Sequence, residues 1–167
     1  MKSDLIDLET AGIGDLLKLY SGVLAELRRR GVTRTDDAPT GGYAEWLTWK
    51  AFGGELQANS NKSSDLLTPR GKAIQVKSRV VSDPPKRGQR QLSPFRSWDF
   101  DYAVVVLFDN EYRVHRAAQL KVAEIRSASK EDGYVNANRV FATDALLKRG
   151  RNITAKLRTT AETQDAA

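Results

Sequence analysis

The sequence predicts a single α/β (α+β) domain in which a mixed central sheet is flanked by helices. Three observations carry that prediction. Tyr102 to Phe108 is an unbroken apolar run of strand-forming residues, which belongs at the centre of a sheet covered on both faces. Ile13, Leu16, Leu17, Tyr20, Val23, Leu24 and Leu27 recur at helical spacing. Ile74 and Val76 alternate with Gln75 and Lys77, the period of a strand with one apolar and one polar face. At 167 residues the chain is long enough for one core.

The elements follow in order. A first helix is expected from about Thr10 to Arg30, with Arg28, Arg29 and Arg30 in its last turn and Gly31 after it. Val32 to Thr40 is polar and carries a proline, so it reads as a loop. Gly42 to Phe52 reads as a helix that is apolar nearly all round and therefore buried on several sides. Glu45 is its exception. It shares a face with Trp49 and Phe52, so its carboxylate needs a partner, for which Arg79 and Lys50 are candidates. A short strand is expected at Glu55 to Ala58, then a polar loop, then a hairpin of Ser64 to Thr68 with Lys72 to Val81. Asp83 to Trp98 is a long loop rich in Pro, Arg, Lys and Gln, with room for one short helix; such loops are often functional. After the central strand, Asp109-Asn110-Glu111 turns the chain into a strand from Tyr112 to Ala117. Gln119 to Ser127 reads as a helix, Asn136 to Ala142 as a short strand, and Thr143 to Lys148 as a helical turn. The domain is expected to span residues 1–155, with 156–167 a disordered polar tail.

Composition narrows the function. The net charge is +6 and the isoelectric point about 9.6, which favours a polyanionic partner, nucleic acid ahead of membrane. There is no cysteine, so disulfides, thiolate catalysis and Cys-ligated metal are excluded. His115 is the only histidine and sits mid-strand, where a structural or surface role is expected rather than zinc binding. No apolar run is long enough to span a bilayer. The start of the chain, with Asp4, Asp7 and Glu9, lacks the basic and apolar regions of a signal peptide, so a cytoplasmic protein is expected. No phosphate-binding P-loop, dinucleotide-binding glycine turn or Ser-His-Asp order is present.

The segment from Asp65 to Lys77 carries the chemistry. A carboxylate, Asp65, precedes the turn Pro69-Arg70-Gly71-Lys72, and the next strand presents Gln75 and Lys77 on one face. A hairpin brings the acid, an amide oxygen and an ammonium together, a set that can hold a divalent metal and activate water against a phosphodiester. The residues alone also admit plainer roles: Asp65 as a turn residue, and Gln75 with Lys77 as a solvated strand face. Asp99, Asp101 and Asp109 are rival carboxylates beside the central strand.

A glutamate on a buried helix, then an Asp-bearing strand, a turn and a Gln-x-Lys strand together resemble the PD-(D/E)XK nuclease superfamily, with its restriction-endonuclease-like fold. The resemblance spans roughly Gly41 to Ala117 and is to the variant with Gln in place of the second acid, as in Mrr-like restriction enzymes. It implies a Mg2+-dependent DNA endonuclease, with Mn2+ able to substitute, and leaves restriction, phage defence, repair and junction resolution open as its role. Its site would comprise Glu45, Asp65, Gln75 and Lys77. Asp65, Gln75, the Val76 carbonyl and Glu45 would serve the metal, and Lys77 would orient water and steady transition-state charge. Ser64 stands where the superfamily's name has proline. DNA is the expected partner, with RNA open, and a homodimer is expected if both strands are cut in concert. Arg79, Lys86, Arg87, Arg90 and Arg96 would form the nucleic-acid path, with Gln89 and Gln91 able to read bases. Lys148, Arg149, Arg151, Lys156 and Arg158 form a second basic cluster. The alternative reading is a non-catalytic nucleic-acid-binding protein or complex subunit that keeps the fold.

Overall fold

The computed structural model describes residues 7–35, 37–61, 63–134 and 136–166. Its centre is a six-stranded mixed sheet in the order β1-β2-β3-β4-β5-β8, where β1 is Glu55–Leu56, β2 Leu66–Leu67, β3 Ala73–Val80, β4 Tyr102–Phe108, β5 Val114–Lys121 and β8 Arg151–Asn152. Only the β3–β4 pair is parallel; the other neighbours run antiparallel. The helices are α1 (Ile13–Arg29), α2 (Thr40–Phe52), α3 (Val122–Ser127), α4 (Asp144–Leu147) and α5 (Thr154–Asp165). A small hairpin of β6 (Lys130–Asp132) and β7 (Ala137–Arg139) stands beside the sheet.

β4 behaves as its composition requires. Ala103 to Phe108 are all buried, and alternate residues feed two cores. Val104, Val106 and Phe108 pack with Ile74 and Val76 of β3, Ala44 and Leu47 of α2, and Leu157 of α5. Ala103, Val105 and Leu107 pack with Leu92, Phe95 and Phe100 of the long loop and with Ile125 of α3. The sheet is therefore covered on both faces, by helices on one side and by the loop and shorter elements on the other. In the β3–β4 register, Gln75, Lys77 and Arg79 stand beside Ala103, Val105 and Leu107, so the polar face of β3 turns toward the loop layer.

The hairpin at β2 depends on a glycine. Gly54 has φ +87°, and a Cβ there would lie 1.9 Å from the Leu67 carbonyl oxygen. No side chain fits, so glycine is what lets β1 approach β2. Asp101 fixes the other end of β3: its carboxylate accepts from the Ala73 N–H at 2.9 Å and from Lys72 Nζ at 3.3 Å. That is a strand-entry role. Asp109 is likewise spent in its turn, accepting from the Glu111 and Arg113 N–H groups.

Two expectations are corrected here. β5 runs on to Lys121, and the helix that follows begins at Val122 rather than Gln119. Tyr102 to Val104 would otherwise lose their antiparallel partners Lys121 to Gln119. The tail from 156 folds as part of α5 instead of being disordered. Leu157 is fully buried against α2 and β5, and Arg158 donates to the Val114 and His115 carbonyls at 2.7 and 3.1 Å. Leu157, with Ala161 beside it, and two backbone acceptors hold a segment whose composition is mostly polar. Among the described residues no helix is long and apolar enough to cross a membrane.

Candidate active site

β2 is only two residues long, and that brevity makes the site. Leu66 pairs with Ile74, and the Asp65 N–H still reaches the Ile74 carbonyl at 2.8 Å. Past that point β3 has no neighbour strand on this edge. The Asp65 carboxylate fills the gap: its Oδ2 accepts from the Val76 N–H and from Gln75 Nε2, both at 2.7 Å. Backbone groups of one strand residue point to the same side, so the Val76 carbonyl also faces this open edge. Hairpin register thus brings Asp65 to the Val76 N–H and to the Gln75 amide, whose nitrogen, not the oxygen that the sequence pattern called for, meets the carboxylate.

Glu45 arrives from α2 on the other face of the sheet. Glu45 and Asp65 line one cavity of about 240 Å³. Gln75 and Lys77 line an adjoining one of about 300 Å³ with Phe95 and Arg96, and Asn59 borders both. Lys77 Nζ donates to the Pro94 carbonyl at 3.2 Å and stands 5.0 Å from the centre of the Phe95 ring.

The electrostatics are those of a strained pair. Burial, and then the neighbouring Glu45 carboxylate, push the Asp65 carboxyl up to about 6, against the opposing pull of the Val76 N–H, Lys77 and Arg34. Burial lowers the Lys77 ammonium below the ordinary lysine value, helped by Arg96 and opposed by Asp65 and Glu45. An acid raised and a base lowered in one cleft is a common signature of functional sites.

Comparison with protein-family models and with curated protein sequences finds no match to this chain. The chemistry therefore has to be read from the residues. The donors at the open edge are hard oxygens: Asp65, Glu45, the Val76 carbonyl and, after an amide rotation, Gln75 Oε1. That set suits Mg2+ or Mn2+, which take oxygen ligands and retain water. Among the described residues no cluster of three His, Cys, Asp or Glu side chains forms a metal cage. Neutral oxygens and water would have to complete the shell.

Arg34 is the residue that the sequence pattern did not reveal. It lies in the polar segment after α1, and its guanidinium binds Glu45 Oε2 at 2.7 Å and the Gln57 carbonyl at 2.6 Å. Glu45 thus pairs with neither Arg79 nor Lys50. The signal was present as an unpaired helical acid, but no local spacing identifies a partner 11 residues upstream.

The expected nucleic-acid residues divide. Arg96 is exposed beside the Lys77 cleft. Arg87 stands over Phe141 in a basic hollow of about 260 Å³ lined also by Lys130 and Arg139. Lys86 is exposed at the start of the single 3-10 turn Arg87–Arg90. Arg79 turns back to the Gln91 carbonyl. Arg90 is drawn inward to the Ala142 carbonyl and Asp144, which also binds Arg116. Gln89 Oε1 ties the loop by accepting from Ser82 N, Ser82 Oγ and Lys86 N. Gln89 holds the loop's shape, and Arg90 does so too while lining the same hollow as Arg87. In the second basic cluster, Lys156 lies 5.1 Å from the Phe52 ring and, like Arg158, secures α5.

Proposed function

We propose that this chain is a Mg2+-dependent DNA endonuclease of the PD-(D/E)XK type, with Mn2+ able to substitute. The observation that carries the reading is the convergence of Asp65, Gln75 and the Val76 backbone at an open strand edge, with Glu45 and Lys77 beside them and opposite shifts on acid and base. Asp65, Glu45, Gln75 Oε1 and the Val76 carbonyl would hold the ion, which when bound would supply positive charge to the scissile phosphate. Asp65 must be deprotonated to serve, and its raised value makes that a neutral-pH event. Lys77, whose ammonium burial holds below the ordinary lysine value, orients the attacking water and stabilises the charge that develops on the phosphate oxygens. Arg96 and Arg87 of the loop and Lys130 of β6 offer cations for neighbouring phosphates.

The test is plasmid DNA with Mg2+ or Mn2+. Wild type is expected to nick or linearise it. Lys77→Ala and Asp65→Ala should lose at least about 100-fold in rate while still binding DNA. Gln75→Glu, which adds an acid at the metal edge, should keep activity and tighten Mg2+ binding. Equal cleavage by all three variants, or none by wild type on duplex, single-stranded or branched DNA, would sink the reading.

One observation favours a second reading. Arg34 already neutralises Glu45 at 2.7 Å, as suits a non-catalytic nucleic-acid-binding protein built on the same site. Salt-sensitive DNA binding in EDTA, with no turnover in either metal, is its expected result.

A further inference from the structure

The first helix has an apolar face that its own chain leaves uncovered. On α1, Ile13 is 80% exposed, Leu17 64%, Tyr20 54% and Val23 49%. Leu16 and Leu24 of the same face are partly buried, and no residue of α1 is fully buried. Of the seven large hydrophobic residues most exposed among those described, four stand on this helix and Leu8 just precedes it. The positions 13, 17, 20 and 24 repeat at the alternating four- and three-residue spacing of a helix–helix seam. A helix with this pattern in water has a partner, because an exposed contiguous apolar stripe marks an interaction surface.

The charges along the helix indicate the partner. Asp7 and Glu9 lie in the turn that leads into it and Asp15 in its first turn; its trailing end carries Arg28, Arg29 and Arg30 around Glu26. Arg29 and Arg30 both bind Glu26, which leaves that end net positive. Laid parallel, two copies would set the arginine triplets side by side. Laid antiparallel, each acidic end meets the other copy's arginines, and Leu17 of one copy meets Leu24 of the other about a centre near Tyr20. We propose that α1 pairs antiparallel with α1 of a second copy and makes the chain a two-fold symmetric homodimer. The pairing does not depend on the site's being a nuclease.

The chain has no cysteine, which makes the arrangement easy to read. Sedimentation equilibrium of the full chain should give a concentration-dependent shift from 18.6 kDa to twice that mass. Leu17→Glu and Tyr20→Glu, at exposed positions, should abolish the shift without changing the circular dichroism spectrum. Tyr20→Cys should cross-link to itself on mild oxidation, whereas Ile13→Cys at the helix end should not. Self-cross-linking of both would mean parallel helices and overturn the antiparallel pairing. A wild type monomeric at every concentration overturns the proposal, as does a monomer whose Leu17-dependent binding is to anionic lipid vesicles. DNA cleavage or its absence bears on neither outcome.

Discussion

Asp65 is held in an environment that prefers it protonated. Its carboxyl lies near 6 in the folded chain and near the ordinary carboxylate value when unfolded, so between about pH 4 and 6 the folded state binds the proton more tightly. Stability from this group is then greatest at the acid end and falls as pH rises through 6. Asp65→Asn should flatten that fall and leave the metal-free protein more stable than wild type at neutral pH, by on the order of 2 kcal/mol. Urea unfolding of both proteins at pH 4 and pH 7.5 checks it; a variant no more stable than wild type at pH 7.5 would refute the raised acid. Function should run the other way, with metal binding and cleavage weakening as pH drops below 6 because a protonated carboxyl is a poor ligand. A residue that costs stability where it is ionised is the kind that a folding role alone does not explain.

The long loop is the element where sequence reasoning needed the structure most. Its basic residues look alike in composition but divide by their surroundings. Arg90 and Arg87 line one hollow, with Lys130 of β6 across it, but Arg90 is tied to Asp144 and the Ala142 carbonyl while Arg87 stays exposed. Arg90→Ala should therefore lower stability by about 1–3 kcal/mol through the stranded buried acceptor, with little direct effect on DNA binding. Arg87→Ala with Lys130→Ala should leave stability unchanged and reduce the slope of log affinity against log salt by about 0.9 for each DNA phosphate no longer neutralised. Thermal melts and fluorescence-anisotropy titrations in EDTA separate the two effects. An unchanged slope would mean that the hollow does not touch the nucleic-acid backbone. The approach of Asp65 to Gln75 was legible because strand period and hairpin register are local properties. The division among the arginines was not, since Asp144 lies 54 residues from Arg90 and no spacing rule spans that gap.

For the whole molecule, the mixed sheet and its central strand followed from one apolar run, and β4 has the bounds that the run implies. The last helix did not follow. α5 is polar along most of its length, and only its packing on α2 and β5 stabilises it. Leu157→Ala should thus cost about 2–5 kcal/mol, as much as a residue in β4, despite lying ten residues from the end of the chain. Denaturant midpoints decide this; a loss under about 0.5 kcal/mol would show that α5 is dispensable. His115, the only histidine, sits on β5, and its backbone carbonyl accepts from Arg158.

β3 and β4 run parallel, so the chain must return the length of the sheet between them, and it does so with residues 81–101 in place of the usual helix. A helix would have presented side chains in every direction. An extended crossing gives two kinds of position instead. Leu92 and Phe95 are sunk in the core, while Ser93, Pro94 and Arg96 between and beyond them stand exposed at the mouth of the cleft. Core packing and the surface of the mouth are thus written on interleaved letters of the same segment. A library that varies 93, 94 and 96 while fixing 92 and 95 can search new specificities on an unchanged frame, and natural drift at this mouth has the same freedom.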